Sequence, residues 1–288
     1  MEIHLNEIIF LINPKAGKKN SQKLIDTLMK IDASISYYIS ESKDKLQDFF
    51  TSIEGKYKVI VLCGGDGTVN SILKYALNSK LIFAIYPMGS GDGFARELGY
   101  SKNLNQLIKS IQKGKTQEID LVQINEQFSC NMIGLGLDSF IANRFEQSSK
   151  RGFMTYITET MKALATYKPV EIEIDINGET IKGKYFMANI ANTRQFGNNA
   201  FIAPHAKPND GLLELVLLKP LPLFLTPGFV LKLFSKTLKN SKYLQYIQAK
   251  DLIIKSNAEH YHIDGEPIQM PDSLHVYTDK KIRFISNS

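Results

Sequence analysis

Val59-Ile60-Val61-Leu62-Cys63-Gly64-Gly65-Asp66-Gly67-Thr68-Val69-Asn70 is the stretch on which the fold turns. Its apolar run is short and rich in β-branched residues, so it reads as a buried strand. Glycines stop it at once. Val69, Ile72, Leu73, Ala76 and Leu77 then follow at helical spacing. Strand, glycine turn and helix together make a phosphate receptor, because glycine lets the backbone approach and N–H groups at a helix start face the anion. Thr68 can cap the helix or offer its hydroxyl to a phosphate. Asp66 constrains the reading further. A carboxylate facing a polyphosphate is repelled unless a cation lies between them, so Asp66 implies Mg²⁺ or a direct role toward another group.

Outward from this unit the pattern repeats. Glu7–Ile12 and Leu81–Tyr86 read as further buried strands, and Ser21–Lys30 carries Leu24, Ile25 and Leu28 on one helical face. Short strands alternating with helices predict an α/β nucleotide-binding domain over residues 1–118, with a mostly parallel sheet. Two more loops follow its strands: Asn13-Pro14-Lys15-Ala16-Gly17 and Pro87–Arg96. In a parallel sheet such loops emerge at one edge, where ligands bind. No G-x-x-x-x-G-K-[ST] occurs, and Asn70 and Phe94 spoil the two nearest approaches to G-x-G-x-x-G.

Beyond residue 118 the period changes to that of antiparallel strands. Glu171–Ile176 alternates, turns at Asn177-Gly178, and Thr180–Ile190 reads as its return. Leu212–Leu218, Leu252–Ser256, His260–Ile263 and Leu274–Tyr277 are further strands, with helices near Tyr156–Tyr167 and Leu225–Leu238. Residues 119–280 are therefore expected to form an antiparallel β domain with helical insertions. Met154, Tyr156, Ile157, Met161 and Leu164 read as a core-facing helical stripe.

The formal charge of +6 suits an anionic partner, but no basic tail or nucleic-acid motif accompanies it. Two distant cysteines, Cys63 and Cys130, fit a reducing cytoplasm. Polar residues interrupt the first residues, against a signal peptide, and no apolar run reaches the roughly 20 residues of a membrane span. His260-x-His262 lacks the partners of a transition-metal site, and no G-x-S-x-G elbow marks a hydrolase.

The motifs together resemble the diacylglycerol kinase catalytic family in its bacterial branch, with sphingosine kinases as relatives. The resemblance rests on Asn13-Pro14…Gly17, Gly64–Asn70, Pro87–Arg96, Ile119-Asp120-Leu121, Asn131…Gly134…Gly136…Asp138, Pro204…Asp210-Gly211-Leu212 and Ile263-Asp264-Gly265-Glu266, which span nearly the whole chain. The glycine motif alone is shared with NAD kinases. What the resemblance implies is an α/β domain followed by a β-sandwich, an active site in the cleft between them, and a last strand over residues 281–288 that returns to the first domain. It also implies that Asn13, Pro14, Lys15, Ala16, Gly17, Ser40, Gly65, Asp66, Gly67, Thr68, Val69, Asn70 and Ser90 contact ATP. Glu266 would be the general base, with Asp66 and Asp120 in the metal and proton network. A structural Mg²⁺ would take the Asp210 carboxylate and the backbone oxygens of Lys207 and Leu212. One departure stands out: Asp92 replaces the Asn usual in the third loop, and an Asp lacks the amide donor.

The acceptor side is suggested by composition. Residues 215–250 contain six lysines and no acidic residue, behind the apolar front Leu221–Leu231. Apolar residues at the interface with lysines toward anionic headgroups would dock the protein reversibly on a membrane; the plainer alternative is a helix packed on the β domain. The expectation is thus a cytoplasmic lipid kinase on the inner face of a membrane, with a lipid substrate, ATP and Mg²⁺, and no nucleic-acid partner. An NAD kinase-like enzyme and a non-catalytic nucleotide- or lipid-binding regulator are the rivals. Nothing in the chain fixes an oligomeric state, and a homodimer is left open.

Overall fold

Strand β3 (Val59–Gly64) is buried at every residue, as its apolar run requires. It pairs in parallel with β1 (Ile8–Ile12) on one side and β4 (Ile82–Pro87) on the other. Strand β2 (Ser36–Ile39) adds to the far side of β1. The computed structural model describes residues 2–16, 21–77, 79–89, 91–140, 166–197 and 199–287. Its contacts divide the chain into two units, Met1–Ile119 with Lys281–Ser288, and Asp120–Lys280.

In the first unit, α1 (Ser21–Ile31) buries the expected Leu24, Ile25 and Leu28. Helix α2 (Leu46–Ile53) buries Leu46, Phe49 and Ile53. Helix α3 (Asp66–Ala76) buries Val69, Ile72, Leu73 and Ala76. The short α4 (Gly93–Glu97) and α5 (Leu104–Lys113) follow. Asn103 caps α5 by accepting the N–H of Gln106, and Gly114 ends it in the left-handed conformation. Strand β2 and helices α2 and α5 escaped the sequence reading. The last strand returns to this unit: Phe284 pairs in parallel with Phe83 of β4.

The second unit is antiparallel. Strands β7 (Met132–Gly136), β10 (Met187–Ala191), β11 (Leu213–Leu218), β12 (Leu244–Ala249), β14 (His260–Ile263) and β15 (Glu266–Gln269) form one sheet in the order β12-β11-β10-β7-β14-β15. In the other layer β8 (Val170–Ile176) lies between β9 (Glu179–Tyr185) and β13 (Asp251–Ser256). The start of β16 (Leu274–Ile285) pairs with β13, and β5 (Thr116–Ile124) with β6 (Gln127–Ser129). Inward residues of both layers, including Ile133, Leu135, Ile174, Ile190, Leu215 and Ile254, share one apolar core, as in a sandwich.

One sequence expectation is corrected here. The return strand predicted over Thr180–Ile190 is two strands in different layers. Phe186 marks the crossing: its N–H bonds to Leu218 O and its carbonyl accepts from Leu137. The Asn177-Gly178 turn does form, with both residues at positive φ. The stripe Met154–Leu164 lies outside the described residues, as does most of the Tyr156–Tyr167 helix.

Candidate active site

Parallel order places the ends of β1, β2, β3 and β4 at one edge, and with them Asn13, Ser40, Gly65 and Gly89. The loops there are bonded to one another. Asn13 donates its side-chain amide to Thr68 Oγ1 at 2.9 Å, and its Oδ1 accepts the N–H of Lys15. Backbone bonds run from Asn13 N to Cys63 O and from Met88 N to Gly64 O. Ser40 N reaches Ile12 O. Gly65 and Gly89 approach backbone to backbone, so a side chain on either would meet the other loop.

Two residues take roles that the sequence did not suggest. Thr68 does not cap α3, whose N-cap is Gly65. Its side chain folds back over Gly64, where a Cβ would collide with it. Asp66 turns its carboxylate to the start of α4, accepting Gly93 N–H at 2.9 Å and Phe94 N–H at 3.1 Å. The second loop thus fastens the third through the positive end of a helical turn. Val69 is buried, so only its backbone is available to a ligand; Gly67 and Asn70 are half-buried beside it, and Pro14, Lys15 and Ala16 are at least partly open. Gly17 and Ser90 lie outside the described residues.

Asp92 sits in the left-handed region at φ 49°, tolerable for Asp. It is buried and accepts Gly89 N–H at 2.8 Å. Burial pushes its carboxyl above the usual range, against the lowering effects of the Gly89 bond, Lys102 and Arg96. Asp92 is therefore a loop strut.

In the second unit Asp120 is buried and its Oδ2 accepts Gly211 N–H at 2.6 Å. Its N–H donates to Pro208 O, and its carbonyl accepts from Asn192. Asp120 therefore belongs beside the loop of Lys207, Asp210 and Leu212. Asp210 Oδ1 accepts the Leu212 N–H at 3.1 Å. Among the described residues no group of three or more His, Cys, Asp or Glu is arranged to hold a metal ion. The loop instead offers one carboxylate and backbone carbonyls, the oxygen donors a hard cation takes along with water.

Glu266 is exposed and opens β15. The turn before it, Asp264-Gly265, has φ of 50° and 88°, the two positive values of a tight hairpin. Asp264 Oδ1 accepts the Ser129 hydroxyl at 2.5 Å and the Met132 N–H at 3.0 Å. Below this turn lies a buried cluster of Asp138, Asn189 and His262. The sequence showed its parts separately, Gly134 and Asp138 in one motif and the His260-x-His262 pair in another, but not that they meet.

Comparison with known proteins agrees with this architecture. Residues 7–124 match the diacylglycerol kinase catalytic domain, and residues 131–280 match the YegS C-terminal NAD kinase beta sandwich-like domain. The chain belongs to the diacylglycerol kinase catalytic family. A diacylglycerol kinase of Bacillus subtilis is 27% identical over 57% of this chain and 56% of its own length, so that alignment spans only about half of the relative. A Staphylococcus saprophyticus diacylglycerol kinase is 24% identical over 89% of this chain and 87% of its own. A Shewanella frigidimarina protein named probable lipid kinase YegS-like is 26% identical over 88% and 81%. A crystal structure of a diacylglycerol kinase from Bacillus anthracis superposes with a TM-score of 0.75 over 98% of this chain and 97% of that one, at 19% identity, which speaks to fold alone. As an enzyme, this family member is a lipid kinase in the broad sense.

Proposed function

We propose that the protein transfers the γ-phosphate of ATP to a lipid hydroxyl, diacylglycerol-like or sphingoid, with Glu266 taking the hydroxyl proton. The observation that carries this reading is the set of bonded loops at the carboxyl edge of β1 to β4, in a chain of lipid-kinase family. Phosphoryl transfer asks a protein mainly for positioning and charge neutralisation. Asn13 to Ala16, Ser40 and Gly65 to Asn70 offer backbone N–H groups and short polar side chains, and Lys15 offers a cation. Bound Mg²⁺ would neutralise phosphate charge; the Asp210 carboxylate and the carbonyls of Lys207 and Leu212 are donors suited to it. Asp66 and Asp120 would act around these groups by holding loops, as their hydrogen bonds suggest. The assignment draws its residues from both units.

Peripheral docking on an anionic membrane from the cytoplasmic side belongs to the same proposal. Leu223, Phe224 and Leu231 are 64%, 81% and 71% exposed. Lys232 and Lys239 lie close to them in sequence. Among the described residues no helix is long and apolar enough to cross a membrane.

A transfer assay with γ-labelled ATP against diacylglycerol, a sphingoid base, a polyprenol and NAD tests the reading. Label is expected in a lipid. Label in NAD alone overturns the acceptor, and ATP binding without transfer to anything points to a regulator. Glu266→Gln should lower transfer by about 100- to 10,000-fold with ATP affinity unchanged; retained turnover removes Glu266 as base.

A further inference from the structure

Three strands meet at Gly134. The antiparallel registers put Asn189 of β10 on one side of it and His262 of β14 on the other. Having no side chain, Gly134 leaves space on that face, and the Asp138 side chain fills it. A Cβ at position 134 would collide with both the Asp138 carboxylate and the His262 ring. Asp138 Oδ2 accepts the Asn189 amide at 2.8 Å and lies 2.8 Å from His262 Nε2. Across the ring, His262 Nδ1 accepts the N–H of Gly265 at 3.2 Å. An Nδ1 that accepts leaves the ring proton on Nε2, the nitrogen 2.8 Å from Asp138 Oδ2.

Burying a carboxylate and an imidazole is expensive unless they are paired, and an apolar residue would fill the same volume more cheaply. What the pair adds is a fixed acceptor for one particular peptide, the Asp264–Gly265 peptide of the turn that Glu266 closes. Asp264, the other turn residue, is anchored separately through Ser129 and Met132.

We propose that Asp138 and His262 are positioning residues for Glu266: the carboxylate orients the ring and selects its tautomer, and the ring holds the Gly265 peptide from which Glu266 is presented. This rests on the reading of Glu266 as the base. Asn189 and Gly134 complete the device, one as a second donor to Asp138 and the other as the space in which it lies.

Paired substitutions at one position separate this role from bulk packing. An Asn at position 262 can still offer an oxygen near the Nδ1 position, whereas a Gln extends its amide toward Asp138 and gives up the acceptor beside Gly265. With γ-labelled ATP and the lipid that labels in the panel, H262Q should lower kcat by about tenfold or more, with the KM for ATP within twofold of wild type. H262N should retain more of the wild-type kcat than H262Q. Equal kcat for H262Q and wild type, with E266Q inactive, overturns the positioning role and leaves the base intact. An active E266Q overturns the base and this inference with it. Should H262Q fail to fold, ¹⁵N NMR of the wild-type protein decides. An unprotonated, hydrogen-bond-accepting Nδ1 coupled to the Gly265 amide supports the device, and a protonated Nδ1 overturns it.

Discussion

Asp92, where the resemblance led to the expectation of an Asn, has surroundings that say what the carboxylate does. The carboxylate bonds to Gly89 N–H within the loop and is closed off from solvent. Asn could make the same bond through its carbonyl oxygen without burying a charge. Burial raises the carboxyl pKa in the folded state, so the charged form costs stability. The sign follows from linkage. The cost is absent below the unfolded pKa, grows as pH rises toward the folded pKa, and is complete above it. Asp92→Asn is therefore expected to raise the melting temperature by a few degrees at neutral pH, with the gain shrinking as pH falls. Thermal denaturation of both proteins from pH 4 to 8 checks this; a gain independent of pH would mean that the charge is not the cause. From the sequence alone, Asp92 read as the loss of an amide donor. Its role as a strut was hidden because both its φ and its partner are properties of the folded loop. Asp66 carries the same lesson. Its place in a glycine turn between a strand and a helix was legible, but its two bonds to Gly93 and Phe94 span a separation that no spacing rule covers.

At the scale of elements, helix α6 (Thr226–Ser235) and the 3₁₀ turn Leu223–Leu225 before it pack one face on the β domain and leave other apolar side chains open. Leu233 and nearby Leu238 are buried, and Phe229, Val230 and Phe234 pack against the same cluster. Leu223, Phe224 and Leu231 remain open to solvent. Not every lysine of the segment is free for headgroups: Lys236 lies with its ammonium 4.2 Å from the Phe201 ring centre, and Lys242 lies over Tyr243. The apolar tip is therefore the better handle for a test. Replacing Leu223, Phe224 and Leu231 together by Ser should cut sedimentation with anionic liposomes by about tenfold or more, since each exposed large side chain contributes about 1.5–3 kcal/mol when fully buried, and should leave the melting temperature unchanged. Unchanged sedimentation would remove this segment as the docking element. Element types were readable wherever one period ran through the segment, as in α1, β3 and β8. The misread return strand shows the limit. Glu179 to Ala191 keeps a strand composition throughout, and only the bonds of Phe186 to Leu218 and Leu137 divide it between layers.

For the molecule as a whole, the decisive contact is between the last strand and the rest of the first unit. Ile282, Phe284 and Ile285 are buried in the first unit. The Phe284 ring packs edge-on to Phe94 at 5.4 Å and beside Phe83 at 6.0 Å. Around it, Tyr100 donates to Ile285 O at 2.6 Å, Ser286 N to Lys115 O at 2.8 Å, and Asn287 bonds to Gly99 and Ser110. Residues 1–119 without this segment would expose Phe83 and Phe94, so they are expected not to fold alone. Phe94 is also the residue whose N–H Asp66 holds, which ties the last strand to the candidate nucleotide loops through one side chain. Phe284→Ala should cost about 3–5 kcal/mol, measured by urea denaturation, and should weaken ATP binding at temperatures where the protein is still folded. A loss of stability with ATP affinity intact would separate the two effects and show that the loops keep their shape without Phe284. Joining residues 281–288 by a short linker ahead of residue 1 should restore folding to the 1–119 fragment, because those residues supply the parallel neighbour of β4 and the ring that covers Phe94.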